Sequence, residues 1–390
     1  MGKVRLLIAA ALLVSFGCVT AGVVVPLPRP SASASGEFAP PFETAWVRCL
    51  RPDDEPIEIY PFELSEPVYV AGRIIVGSRS KKVWCLDAAS GERLWEFETF
   101  GPVESTAAVS KGVVYIGDDA GYLYALDLKT GAKLWSYRTP EGEVVDRVAA
   151  TDNYVAFATD AHSLIMLSAS GDFLWMHSVA PPSNMNVRGA GSPVFYGDLV
   201  IAGFSDGTLR AFEAATGKPA WRLELKTQGE MKDVDSDPTI VGDILFSAAY
   251  RGHIYAIDLK GASVLWRYPA GSVAAPAIGG GKVFFATDDG ELVALEISTG
   301  KEVWKIEVAG IDKRSAFVRT RYPSFATAPV YHSGYLLFGT SRGNFAVVDA
   351  ESGKLEFKRY LSTSISARPL VAGGAVFVHT DQDCLYSFVP

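Results

Sequence analysis

A short segment recurs seven times along the chain, about once every 40 residues. In its full form it has an acidic residue, then a glycine, then a tryptophan, as in LDLKTGAKLW at 126–135. The copies lie at 86–95, 126–135, 167–175, 212–221, 257–266, 295–304 and 348–357. The third copy is shortened, and the seventh has Phe357 in place of tryptophan. A repeat of this length is typical of a β-propeller, in which each repeat forms one four-stranded blade.

Each repeat contains enough strand-like runs to form such a blade. Two runs rich in β-branched and aromatic residues precede the marker segment, such as VVYIG and YLYALD within 113–127, with a Gly/Asp turn between them. The segment with the tryptophan supplies an outer strand, and a short inner strand comes first. That inner strand often opens with a proline, namely Pro67, Pro193, Pro238, Pro276, Pro329 or Pro369. The sequence therefore predicts four antiparallel strands per repeat.

The two ends of the propeller segment complement each other. The chain finishes with an eighth set of inner runs at 368–389, which no outer strand follows. The segment TAWVRCL at 44–50 has the outer-strand pattern, but no inner strands precede it. We expect this segment to pair with the last run, because ring closure removes exposed sheet edges. The predicted fold is an all-β, eight-bladed propeller.

The cysteines suggest one cross-link and no metal site. Alignment of Trp46 with Trp135 brings Cys49 near Cys384 on neighbouring strands of the closing blade. A disulfide between them is one expectation, which an oxidising compartment would permit; two separate buried thiols are the alternative. Cys85 is expected to be inert core. No cysteines have CxxC spacing and the five histidines are scattered among the repeats, so no metal is expected.

The start of the chain has the layout of a secretory signal. Lys3 and Arg5 precede an apolar run at 6–16, which ends shortly before Cys18. Lipidation at Cys18 is the first expectation, although the residues before it depart from the usual lipoprotein pattern. Cleavage after Ala21 and an uncleaved membrane anchor are the alternatives. The predicted organisation is a signal peptide at 1–17, a flexible Pro/Ser/Ala-rich linker at 18–42 and the propeller at 43–390.

Two candidate catalytic or metal motifs have simpler interpretations. GFSDG at 203–207 matches the nucleophile turn of hydrolases, but it aligns with the hairpin turns of other repeats. Asp233, Asp235 and Asp237 resemble the start of a calcium loop that lacks its required glycine and final glutamate. The net charge of -8, with no basic stripe, argues against a nucleic-acid partner. We expect neither enzyme activity nor a cofactor.

Two long connections point to a partner-binding surface. In a four-stranded meander, all links from an outer strand to the next inner strand lie on one face. The links containing 183–193 and 226–238 belong to consecutive blades, so they are neighbours there. Together they offer a mixture of residues found at protein interfaces. The candidate partner-binding residues are Met185, Val187, Arg188, Asp233 and Asp235. The alternative is that Arg188 only pairs with these aspartates.

These connections carry a family resemblance that covers about residues 43–390. NVRGAGSP at 186–193 resembles the L-x-L-R-G-x-S-A-P stretch of the BamB family, the propeller lipoproteins of bacterial outer-membrane β-barrel assembly. The stretch that begins DVDSDP at 233 is similar to that family's D-V-D-x-x-P stretch. The resemblance implies that this surface binds the periplasmic (POTRA) domains of BamA. Met185 and Val187 would stand for the family's leucines, and Arg188, Asp233 and Asp235 for its arginine and aspartates.

The resemblance further implies a non-catalytic, monomeric scaffold that is lipid-anchored at the periplasmic face of the outer membrane. A soluble periplasmic protein is the alternative for location. For function, the alternatives are a similar propeller that serves another periplasmic complex or one that binds a small ligand in its channel. Quinoprotein dehydrogenases, which bind pyrroloquinoline quinone, share the repeat signature. They are longer and resemble one another in an adjacent cysteine pair and calcium-ligating acids, and this chain has neither.

Overall fold

The computed structural model describes residues 38–51, 65–179, 191–225, 234, 236–312 and 324–390. In these residues, 32 strands form eight antiparallel sheets of four strands each. Seven sheets use four consecutive strands in their order along the chain, and the eighth joins the first strand to the last three. The eight-bladed propeller predicted from the sequence is confirmed.

The strands follow one another from the inner to the outer edge of each blade. The first, β1 (Glu43–Cys49), belongs to the last blade. Blade 1 has β2 (Val68–Val70), β3 (Arg73–Ser78), β4 (Lys82–Asp87) and β5 (Arg93–Glu98). Blade 2 has β6 (Ala108–Ser110), β7 (Val113–Gly117), β8 (Tyr122–Asp127) and β9 (Lys133–Arg138). Blade 3 has β10 (Ala149–Ala150), β11 (Tyr154–Thr159), β12 (Ser163–Ser168) and β13 (Phe173–Ser178). Blade 4 has β14 (Val194–Tyr196), β15 (Leu199–Phe204), β16 (Thr208–Glu213) and β17 (Pro219–Glu224).

The second half of the ring repeats this arrangement. Blade 5 has β18 (Thr239–Val241), β19 (Ile244–Ala248), β20 (Ile254–Asp258) and β21 (Ser263–Tyr268). Blade 6 has β22 (Ala277–Gly279), β23 (Lys282–Ala286), β24 (Glu291–Glu296) and β25 (Glu302–Glu307), followed by one helical turn, α1 (Val308–Ile311). Blade 7 has β26 (Val330–His332), β27 (Tyr335–Gly339), β28 (Asn344–Asp349) and β29 (Leu355–Tyr360). Blade 8 has β30 (Leu370–Ala372), β31 (Ala375–Thr380) and β32 (Cys384–Val389), with β1 as its outer strand. Within the described part of the chain, no helix combines the length and apolar character needed to cross a bilayer.

The position of a strand in its blade explains its residue pattern. The two middle strands, such as β7 and β8, are buried along nearly their whole length. Each of these strands packs against a neighbouring blade on both faces. Its residues are therefore apolar throughout rather than alternately apolar and polar. The outer strand β9 instead alternates between partly buried and exposed residues, because one of its faces meets solvent.

The tryptophan of the repeat joins one blade to the next. Its indole Nε1 donates a hydrogen bond to a backbone carbonyl in the turn between the third and fourth strands of the following blade. Six junctions have this bond, with nitrogen–oxygen distances of 2.8 to 3.2 Å: Trp46–Ala88, Trp95–Leu128, Trp135–Ala169, Trp175–Ala214, Trp266–Ile297 and Trp304–Ala350. A buried bond of this kind contributes about 1 kcal/mol. At these six junctions the tryptophan thus lies between two blades with its polar tip bonded to the second.

The glycine of the repeat makes room for that indole. Gly131 lies under the ring of Trp95, and a Cβ atom at this position would lie 2.6 Å from the ring. Its backbone φ is +71°, a value that residues other than glycine rarely adopt. The glycine and the tryptophan of the repeat are therefore two parts of one contact between neighbouring blades.

Blade 8 is closed by strands from opposite ends of the chain. β1 pairs with β32 from Glu43 opposite Val389 to Cys49 opposite Cys384, and the structure joins these two cysteines in a disulfide. Such a cross-link typically contributes about 2–4 kcal/mol by restricting the unfolded chain. Cys85 is buried, and burial raises the pKa of its thiol to about 12.

A buried polar chain continues the closure into blade 1. Asp383 accepts a hydrogen bond from the hydroxyl of Ser78 at 2.5 Å and is bonded to Nε2 of His379 at 2.8 Å. Nδ1 of His379 lies 3.0 Å from the carbonyl oxygen of Ser65. These bonds connect the first and last blades beside the disulfide, so backbone pairing, covalent and polar contacts all hold the two ends together.

The same closure explains why the seventh repeat has Phe357. Blade 8 has no turn between its third and fourth strands, because these strands are the two ends of the propeller. An indole in blade 7 would therefore find no turn carbonyl to bond. Phe357 packs instead against the edge of Phe42, with ring centroids 5.6 Å apart. Phe42 is fully buried, and Phe38 contacts both it and His332, so residues that the sequence assigned to the linker pack on the propeller.

Candidate functional site

Four connections from an outer strand to the next inner strand are much longer than the others. They join β1 to β2, β13 to β14, β17 to β18 and β25 to β26. In every blade, such a connection starts at the same face as the turn between the second and third strands. We call this the loop face. The strand bounds therefore place both predicted partner-binding connections, the ones before β14 and β18, on the loop face.

The predicted site residues themselves lie outside the described residues. These are Met185, Val187, Arg188, Asp233 and Asp235, and the same holds for Cys18. Their roles stay predictions. The structure does describe the residues at which the two connections return to the propeller, and these residues decide whether the connections are neighbours.

Both connections return to the same strand end. The backbone N–H of Gly191 donates to the carbonyl of Gly203 at 3.0 Å, and that of Val234 donates to the carbonyl of Phe204 at 3.4 Å. Gly203 and Phe204 are the last two residues of β15. The ends of two connections that are about 40 residues apart in sequence are thus held within one residue of each other.

A close backbone contact fixes the second connection. A Cβ atom on Gly203 would lie 2.0 Å from the carbonyl oxygen of Val234, so only glycine admits this approach. Val234 itself is buried against blade 4. Equivalent glycines receive the following connection elsewhere, as Gly117 receives Val144. The base of the second connection therefore uses the ordinary packing of the fold, which holds it firmly.

A buried hydroxyl fixes the same connection to blade 5. The backbone N–H of Ala248 donates to Oγ of Ser236 at 2.6 Å. Ser65, Ser105 and Thr327 accept equivalent bonds from Gly77, Gly117 and Gly339. Sequence reasoning missed this feature, although its signal is simple: a serine or threonine three residues before the inner strand. The second connection is thus held by Val234 to blade 4 and by Ser236 to blade 5.

Charged residues surround the turn that follows β15. Asp206 accepts a hydrogen bond from Arg210, and Arg222 lies 3.7 Å from the same carboxylate. The turn is the GFSDG segment, and it joins two paired strands with Phe204 opposite Thr208. The prediction of a hairpin turn rather than a strand-to-helix nucleophile turn is confirmed. The loop face near blade 4 therefore carries ionic groups beside the two anchored connections.

Comparison with known proteins identifies relatives over most of the chain. A family model described as outer membrane protein assembly factor BamB matches residues 61–186, 107–306 and 307–388. The protein of that name from Kangiella koreensis is 24% identical over 387 residues, which cover 97% of this chain and 95% of that protein. The one from Yersinia pestis is 23% identical over 341 residues, 83% of each chain. The one from Legionella pneumophila is 27% identical over 208 residues, and this match spans about half of either protein.

Solved structures show the same fold in proteins with different names. BamB from Moraxella catarrhalis superposes with a TM-score of 0.74 at 19% identity, covering 90% of this chain and 100% of that chain. Quinohemoprotein alcohol dehydrogenase from Comamonas testosteroni reaches 0.71 at 14% identity, covering 89% and 76%. These likenesses concern the fold alone. The sequence match from residue 61 to residue 388 is more specific, and by it the chain belongs to the family of outer membrane protein assembly factor BamB.

Proposed function

We propose that this propeller is a non-catalytic scaffold of the outer-membrane β-barrel assembly machinery, and that its loop face binds the periplasmic POTRA domains of BamA. The observation that carries the proposal is the return of two long connections to adjacent residues of β15. A partner that contacts one connection there also reaches the other. The family membership supports the same assignment, since the relatives are named as assembly factors.

Each predicted residue has a separate role in this contact. Met185 and Val187 provide apolar anchors, and Arg188 provides an ionic one. Asp233 and Asp235 orient the second connection or contact the partner directly. Interfaces concentrate their binding energy in a few such groups, with arginine among the most frequent. The rigid base formed by Val234 and Ser236 limits the conformational freedom that binding has to remove.

The proposal assigns the propeller to the periplasmic face of the outer membrane, with a lipid anchor at Cys18. In this function the protein is a scaffold and catalyses no reaction. Dehydrogenases with the same fold exist, so the fold does not exclude an enzyme. What favours a scaffold is the name shared by the relatives that cover most of the chain.

The test is calorimetric binding of the mature chain to the purified POTRA domains of BamA from the same organism. We expect Arg188→Ala to lose roughly 1–4 kcal/mol of binding free energy, about 5-fold to 1,000-fold in Kd, without loss of folding. The matched control is Lys133→Ala, which removes an exposed positive charge from the first residue of β9, at the end of the blade opposite the loop face.

Two results would contradict the proposal. A folded wild-type chain that does not bind the POTRA domains would direct the search to another periplasmic complex. Equal losses for Arg188→Ala and Lys133→Ala would show that binding depends on overall charge rather than on this surface.

A further inference from the structure

One residue of each blade occupies the same position at the loop-face end of the central channel, two residues before the inner strand. We call these residues the channel ring. In blade order they are Glu66, Thr106, Arg147, Ser192, Asp237, Ala275, Ala328 and Arg368. Two guanidinium groups and two carboxylates make the ring neutral overall. Charged groups near one axis interact electrostatically. The charges that remain unpaired therefore determine which charged ligand the channel can bind.

Three of the four charges are joined across the channel. Arg147 in blade 3 donates to Oε2 of Glu66 in blade 1, and its Nε lies 3.5 Å from Oδ2 of Asp237 in blade 5. Blades 1 and 5 face each other in an eight-membered ring, and blade 3 lies midway between them. The bonds therefore run across the channel opening rather than along its wall.

Backbone bonds hold this side of the ring in place. The N–H of Glu66 donates to the hydroxyl of Thr106 at 3.1 Å, and that of Arg147 donates to the hydroxyl of Ser192 at 3.2 Å. Burial lowers the pKa of Arg147, but attraction to Glu66 and Asp237 outweighs it and raises the pKa overall. Arg147 nevertheless exposes 33% of its side chain.

Arg368 completes the ring but does not share in this pairing. Within the described part of the chain, its guanidinium has no hydrogen bond or ion pair. Its ring position groups it with Glu66, Arg147 and Asp237, and the charges of these three residues act on its pKa. Burial lowers its pKa, which reflects the loss of water around it. A guanidinium has five N–H donors, and those of Arg368, which is partly exposed, are available to an acceptor in the channel.

The carboxylates of Glu66 and Asp237 also have hydrogen-bond acceptors that Arg147 does not use. Arg147 uses only Oε2 of Glu66 and Oδ2 of Asp237. The other carboxylate oxygens, Oε1 and Oδ1, have no donor among the described residues. The ring positions next to Arg368 on one side are Ala328 and Ala275, which are buried and bring no polar group to the ring. Among the described residues, the ring thus holds a guanidinium without a bonded acceptor and two carboxylates that each keep one oxygen without a donor.

We propose that the channel ring binds a small zwitterion of the amino-acid type, with its carboxylate on Arg368 and its ammonium group toward Glu66 and Asp237. The charge balance favours this class over others. A lone carboxylate or a polyanion would add net negative charge beside two carboxylates, and a lone cation would face Arg368. A zwitterion keeps the site neutral and supplies an acceptor to the unpaired guanidinium.

The test is a titration of the full mature chain, followed by the arginine Nε–Hε NMR signals, with three matched probes. Glycine carries both charges, acetate lacks the ammonium group and methylamine lacks the carboxylate. We expect glycine to shift the Arg368 signal and to bind about tenfold or more tightly than either of the other probes. Arg368→Gln should abolish the binding of glycine, and Arg138→Gln should leave it unchanged.

Several outcomes would overturn the proposal. Glycine without effect on Arg368 would exclude the site, and acetate that binds as tightly as glycine would exclude the zwitterion. An Arg368→Gln chain that keeps its near-ultraviolet tryptophan spectrum and still binds glycine would place binding elsewhere. Arg368→Lys, which keeps the charge, should retain weaker binding and guards against a folding defect. Binding to POTRA domains is measured separately, so this proposal and the proposed function can fail independently.

Discussion

Two junctions between blades use the same repeat segment with different results. Between blades 1 and 2, the indole of Trp95 donates to the carbonyl of Leu128 at 3.0 Å and lies over Gly131. Between blades 4 and 5, the indole nitrogen of Trp221 is buried and has no hydrogen-bond partner in the described part of the structure. The repeat is present at both junctions, so the presence of tryptophan alone does not ensure the bond.

One methyl group accounts for the difference. Ala262 occupies the place in blade 5 that Gly131 occupies in blade 2, and its φ is +47°. A Cβ atom at Gly131 would lie 2.6 Å from the indole of Trp95. The Cβ atom of Ala262 therefore holds the ring of Trp221 away from the turn, which costs the hydrogen bond and strains the backbone. The weaker junction lies between the two blades whose inner strands follow the proposed partner-binding connections.

The largest expected effect comes from making the strong junction resemble the weak one. Gly131→Ala should lower the free energy of unfolding by about 2–4 kcal/mol, because it adds a clash with Trp95 to the strain of a positive φ. Gly112→Ala is the matched control, since Gly112 also has a positive φ, of +78°, but no heavy atom lies within 4 Å of the added Cβ. Urea unfolding measures both. Equal losses in the two variants would show that the contact with the indole is unimportant.

An intermediate effect is expected from removal of the indole nitrogen at each junction. Trp95→Phe leaves the carbonyl of Leu128 without its donor and should cost about 1–2 kcal/mol more than Trp221→Phe. In Trp221→Phe the lost donor has no partner, so its removal also relieves an unsatisfied buried group. Parallel urea titrations give the difference directly. A larger loss for Trp221→Phe would contradict our explanation of the weak junction.

The smallest effect is expected from repair of the weak junction. Ala262→Gly should stabilise the propeller by up to about 1 kcal/mol, since it removes the strain and allows the indole of Trp221 to reach the turn. The greater freedom of glycine in the unfolded chain offsets part of this gain. The indole N–H resonance of Trp221 should move to the range of the other junction tryptophans. No movement of that resonance would mean that something besides Ala262 keeps the ring away.

Several features of the fold were predictable because neighbouring residues determine them. The period of the repeat predicts the blades, and the unmatched runs at 44–50 and 368–389 predict the closing pair β1 and β32. The alignment of GFSDG with other turns predicts its hairpin. The loss of the bond at Trp221 was also readable in principle, from the shift of glycine to Gly261 in the fifth copy.

The candidate site was predictable only in part. The connection lengths predicted that Arg188 and Asp235 belong to loop-face connections; both residues lie outside the described residues, and their contact with BamA stays a prediction. The return of both connections to Gly203 and Phe204 came from the structure. So did the bond from Ala248 to Ser236, because a hydroxyl in a loop has many potential partners until the blades are packed.

The sequence by itself determined the number of blades, their strand order and the closure. Strand periodicity, turn residues and repeat spacing act over short distances along the chain, so a linear reading recovers them. Only the tertiary structure decided which charges meet in the channel ring. Glu66, Arg147, Asp237 and Arg368 come from four different blades. No local pattern distinguishes Arg147, which forms ion pairs, from Arg368, which forms none with the residues that the structure describes. Their separation is set by the packing of all eight blades around one axis, a property of the closed ring and not of any single repeat.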